Sequence, residues 1–177
     1  MSTKTLEPGT HPGTPTLPPR ERIIAVARDL FYRHFDSKDA LVAECLRRRA
    51  EELDAAFERI ADEHPGDPAG TLVGWLRHLG EFKISDRGCA FANAAIELPD
   101  PNHPARRVIE EHKRLHRERL VGLARAAGLA DPELVADEIF LLCEGARVSL
   151  QSVGPNGPAS RLVEMLQAVI AGHRRAR

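Results

Sequence analysis

An all-α fold is expected of this chain, and three observations lead to it. Apolar residues recur three and four positions apart in segment after segment, the period of a helix with one buried face. Aromatic residues make up only 5% of the 177 residues, while Ala, Leu, Arg and Glu are abundant, a composition suited to helices. No β-rich stretch competes. With 42% hydrophobic and 29% charged residues, the chain has the make-up of an ordinary soluble protein. It is long enough to bury most of its apolar surface, as one domain or as a small head on a larger body.

Residues 1–19 alternate Pro, Gly and Thr and lack the apolar core of a signal peptide, so they read as a disordered arm. Lys4 is its one basic residue before Arg20, too little for an arm that reaches into a nucleic-acid groove. The first helix is expected over Arg20–Phe31, where Ile23, Val26, Ala27, Leu30 and Phe31 fall on one face. Ser37 can cap the next helix and Asp39 favours its positive end. Leu41, Cys45, Leu46, Leu53, Ala56, Phe57 and Ile60 then form a stripe that runs to about residue 62, before His64-Pro65-Gly66-Asp67-Pro68 breaks it. Arg47, Arg48 and Arg49 point some 100° apart around this helix, a solvated surface and not one phosphate clamp.

A third helix is expected from Ala69 to about Ile84, and a short one buried on nearly every side within Gly88–Leu98. Ala105 to Ala127 reads as a long charged helix ended by Gly128, with Ile109, Leu120 and Leu123 on its inner face and His112 and His116 on the same line. Two histidines four apart can chelate a metal. Without a third ligand they read as polar edges of a packed helix, and no Glu-x-x-His motif supports a di-iron bundle. Asp131-Pro132 opens the next helix, with Asp as its cap and Pro at its first position. The last helix carries Leu162, Val163, Leu166, Val169 and Ile170 on one face. The final two helices together make a ready dimer surface.

A net charge of −1 gives no global attraction to nucleic acid. Cys45, Cys89 and Cys143 are odd in number and widely spaced, which fits buried thiols in a reduced, cytoplasmic protein. No apolar run approaches the roughly 20 residues of a membrane span. No nucleophile and base are placed by motif, so an enzyme is not expected, and no cofactor is implied.

The stretch Arg22-Ile23-Ile24 to Leu30-Phe31, followed by Tyr32-Arg33-His34-Phe35-Asp36-Ser37-Lys38-Asp39-Ala40-Leu41, resembles the two ends of the DNA-binding head of TetR-type transcriptional regulators. In that family an Arg-Ile-Ile-x-Ala-Ala-x-x-Leu-Phe helix leads to a helix-turn-helix that closes on Leu-Tyr-x-His-Phe-x-Ser-Lys-x-x-Leu. Here the middle is missing. Roughly 25 residues, two short helices and a turn, are absent where Tyr32 and Arg33 stand. The segment Gly88-Cys89-Ala90-Phe91-Ala92-Asn93-Ala94-Ala95-Ile96-Glu97 is similar to one in the effector-binding body of a subgroup of the same family.

The resemblance implies a TetR-like helical bundle with a disordered arm at 1–19, a truncated head at 20–46 and an effector-binding and dimerisation domain at 47–177. It implies a homodimeric repressor that a small hydrophobic effector releases from a DNA operator. Tyr32, His34 and Lys38 inherit DNA phosphate contacts, which position without specifying. No residue is left to read bases, so DNA recognition is expected to be impaired. The alternative is a dimeric small-molecule-binding or dominant-negative protein without specific DNA binding. An effector pocket is expected among Trp75, Leu79, Phe82, Phe91, Asn93, His112, His116 and Phe140. The dimer interface is expected at Leu142, Ala146, Leu150, Leu162, Leu166, Val169 and Ile170.

Overall fold

The computed structural model describes residues 18–81 and 88–174, and it divides into two compact units, one ending at Ser37 and the other running from Lys38. The division expected at residue 46 falls inside a continuous helix. In the first unit α1 spans Pro19–His34, with proline at the start, where its missing N–H costs nothing. Asp29 and Arg33 pair one turn apart at 2.6 Å, and the Phe31 ring packs edge-on to Tyr32 at 4.9 Å. No residue of α1 is buried. The stripe through Ile23, Val26 and Leu30 is there, but a single helix supplies no second layer to cover it. Phe35 leaves the helix in an extended conformation, donating its N–H to the Phe31 carbonyl. The chain therefore does not run through the junction as one helix.

The second unit is a bundle of six α-helices among the described residues: α2 Lys38–Glu63, α3 Pro68–Glu81, α4 Ala90–Glu97, α5 Pro104–Ala126, α6 Pro132–Val153 and α7 Leu162–Gly172. A 3₁₀ turn, Pro158–Arg161, leads into α7. The central helix is α5, packed against α2, α3, α4 and α6, while α7 lies against α3 and α6. One core gathers Leu72, Trp75, Leu120, Val135, Ile139 and Leu166, and a second gathers Ala43, Leu46, Phe91, Ala105 and Ile109 around α4. Fully burying each large side chain contributes roughly 1.5–3 kcal/mol. Among the described residues no helix is long and apolar enough to cross a membrane.

Local chemistry fixes the helix ends. Asp67 accepts the Gly70 N–H on its carboxylate at 2.9 Å and so caps α3, with Pro68 behind it. At the head of α5 the buried His103 does the same, Nδ1 accepting from the Ala105 N–H at 3.1 Å. Gly128, at φ +71, ends α5: its N–H donates to the Arg125 carbonyl and that of Leu129 to the Ala124 carbonyl, the paired bonds of a Schellman turn. Ala130 then donates to His173 at 2.8 Å, tying this turn to the end of α7. Asp131 departs from its expected role. Its backbone is left-handed, at φ 47, and its side chain makes no capping bond; its carbonyl accepts from Val135 instead.

Two expectations of burial are corrected. Of the α4 residues only Phe91 is buried, and Ile96 is 80% exposed, because α4 packs by one face on α5 and the rest faces outward. Cys45 is exposed too, since the inward positions of α2 around it are Ala43 and Leu46; Cys89 is half-buried and Cys143 buried.

Candidate functional site

A cavity of about 280 Å³ opens in the second unit between α2, α3, α4, α5 and α6. Its aromatic wall is a ladder of rings. Phe91 stacks on His112 at 4.0 Å, His112 on His116 at 6.3 Å, and His116 leans on Trp75 at 5.9 Å. Trp75 is held from behind by Phe57 at 5.3 Å and His78 at 5.4 Å. The spacing of α5 explains the two imidazoles: four residues make about one turn, so both point to one side. Leu53, Leu79, Gly88, Cys89 and Ala90 complete the neutral lining.

The other side is basic. Arg49, Lys113, Arg119 and Arg147 line the cavity, each with a side chain no more than about a third exposed. Carboxylates hold them in place: Glu52 on Arg49 at 2.7 Å, Asp54 on Arg119, and Glu144 on both Lys113 at 2.6 Å and Arg147 at 3.0 Å. Lys113 also sits 5.1 Å over the Phe140 ring. Desolvation pushes the His112 imidazole down to about 4 and His116 to about 3, and the cations of Lys113, Arg147 and Arg119 push the same way. Both imidazoles are neutral at pH 7. Among the described residues no cluster of three or more His, Cys, Asp or Glu is placed to hold a metal ion.

Of the expected pocket residues, Trp75, Leu79, Phe91, His112 and His116 line this one cavity. Phe140 stands one ring back, 5.8 Å from His116. Asn93, on α4, is not part of the lining, and Phe82 lies outside the described residues. The four cations went unread in the sequence. Arg49 looked like one of three solvated arginines, and Arg147, the one basic residue of α6, carried no signal of its own.

The expected dimer residues divide. Leu162, Leu166 and Ile170 are buried in the core of their own chain, because α7 lays its apolar stripe on α3 and α6. Leu142, Ala146, Leu150 and Val169 remain half-buried. Outside them lies an apolar groove of about 560 Å³, lined chiefly by Leu141, Leu142, Ala146, Ala159, Met165 and Val169. Of the expected phosphate contacts, Tyr32 and His34 sit exposed on the last turn of α1 and Lys38 exposed at the first position of α2.

The second unit is thus an all-α bundle whose long central helix, α5, forms one wall of a cavity. Solved structures place it more closely. A TetR-family transcriptional regulator from Streptomyces coelicolor, SCO4454, superposes with a TM-score of 0.78 at 25% identity over 88% of this chain and 85% of its own. A structure from Streptomyces avermitilis described as a TetR-type regulator gives 0.66 at 25% identity over 82% of this chain and 79% of its own. The HTH-type transcriptional regulators YjdC of Escherichia coli (strain K12) and Shigella flexneri are each 24% identical over 119 residues, which is 66% of this chain but 62% of the curated relatives it matches. No family model matches the chain. Its fold is that of the TetR-family transcriptional regulators on which it superposes.

Proposed function

We propose that the protein is a homodimeric, cytoplasmic, effector-responsive member of this family whose recognition of a specific operator is impaired. One observation carries the effector half: five of the eight residues expected to form a pocket converge on a single aromatic-walled cavity in the body. Small-molecule sites combine such apolar walls with a few polar groups. Trp75 is the only tryptophan and lines the cavity, so its fluorescence reports occupancy. A saturable change on titration with small aromatic compounds is expected; indifference to all of them would sink the assignment.

The DNA half rests on the junction. Only Phe35, Asp36 and Ser37 separate α1 from α2, which leaves no room for the helix that enters a major groove and presents base-reading side chains. Tyr32, His34 and Lys38 can still meet phosphate, with Arg22, Arg28 and Arg33 nearby in sequence. Binding should therefore be weak, indifferent to sequence and lost as salt rises. Operator and scrambled duplexes should bind alike at about 150 mM salt, near physiological ionic strength; a hundredfold preference for operator would restore the ordinary repressor. The same junction supports the second reading, a dimeric effector-binding or dominant-negative protein without specific DNA binding.

A further inference from the structure

We infer that the molecule the cavity takes is a compact aromatic or aryl-aliphatic monoanion, a carboxylate above all, whose charge completes the set of cations around the pocket. This rests on the cavity being the effector site and names the chemistry of what enters it. Four cations line the cavity, and the described lining contains no acidic residue. Among the described residues Glu52 faces Arg49 and Asp54 faces Arg119, whereas Lys113 and Arg147 divide the single carboxylate of Glu144, and it is at this last pair that negative charge falls short. Their side chains are only 22% and 21% exposed, and cations that far from water require a counter-charge.

The neutral part of the site agrees. The indole N–H of Trp75, buried, has no hydrogen-bond acceptor among the described residues. A carboxylate oxygen would supply one, as a hydrocarbon would not. The Phe91–His112–His116 ladder offers flat faces to a planar body. A volume near 280 Å³ lies at the lower end for small-molecule sites, roughly 300–1,000 Å³, which favours one or two rings over a long acyl chain. Burial is the main reason His112 and His116 are neutral, and the cations of Lys113, Arg147 and Arg119, which act in the same direction, would attract an anion.

Calorimetry on the full chain decides it, using benzoate, phenylacetate and 1-naphthoate, each beside its uncharged amide of nearly the same shape. At least one acid is expected to bind tenfold or more tightly than its amide, with the advantage shrinking as salt rises. Arg147→Gln should remove most of that preference, and Glu144→Gln should strengthen acid binding severalfold by withdrawing the competing carboxylate. Circular dichroism identifies a variant that has lost its helices, and the comparison of acid with amide on the unaltered protein stands without either variant. Amides binding as well as or better than acids would overturn the anionic assignment while leaving the cavity a ligand site. No heat from any of the six, with Trp75 fluorescence unmoved, would overturn both.

Discussion

His116 carries the clearest pH dependence in the molecule. Its neighbours on every side disfavour the imidazolium: burial first, then His112, Arg147, Lys113 and Arg119. For His112 the one opposing charge is Asp54. With folded values of about 3 and 4 against an ordinary 6.5, the unfolded chain binds more protons than the native one below pH 6.5. These histidines therefore cost no stability above pH 6.5, and stability falls as the pH drops from there toward 4 and 3. His116 alone should lower it by about 2 kcal/mol between pH 7 and 4, allowing for solvent screening. His116→Phe, which keeps a ring in the ladder, should flatten the acid limb of a urea-midpoint profile; an unchanged limb would place the acid-labile groups elsewhere. A buried Cys143 thiol, pushed up to about 11, adds nothing to this window.

At the scale of elements, α7 separates core from surface. Leu166 is fully buried against α3 and α6, so Leu166→Ala should cost roughly 2–5 kcal/mol, visible as a lower thermal midpoint. Leu141 is 69% exposed and Met165 38%, and both line the outer groove. Leu141→Glu or Met165→Glu should convert a dimer to monomers in sedimentation while leaving the unfolding free energy of the isolated chain within about 0.5 kcal/mol. A dimer that persists through both changes would move the interface off this face. Such a distinction was only half legible in the sequence. Helical periodicity found α7 and its apolar face, but a stripe at helical spacing says that a face is covered and not what covers it. The starts of α2, α3, α5 and α6 were readable within a residue or two because Pro, Gly and Asp punctuate them. Local rules failed where tertiary placement decides: the one-sided burial of α4, the exposure of Cys45 and the inward turn of Arg49. Asp131 shows another limit, since an Asp before a Pro fits both a side-chain cap and the left-handed turn that the chain adopts.

For the whole molecule, the cavity draws its lining from five helices, and ion pairs brace the walls between them. Arg119–Asp54 joins α5 to α2, and the two-pronged Arg117–Asp137 pair, at 2.5 and 2.8 Å, joins α5 to α6. The order in which those walls assemble follows from the turn at Gly128. Only residues 127–131 separate α5 from α6, whereas α2 meets α5 across a connection of some forty residues that includes two other helices. Closing the short loop costs less chain entropy, and contacts near in sequence form sooner. The α5–α6 hairpin is thus expected to be structured in the folding transition state, with α2 docking on it afterwards. Substitutions such as Ala124→Gly or Val135→Ala at the hairpin seam should slow refolding, while Ala56→Gly in α2 should chiefly hasten unfolding. The two limbs of a denaturant chevron separate these cases: a body that nucleates on α2 would reverse them, and the pocket's histidines would then be the last residues to find their places instead of among the first.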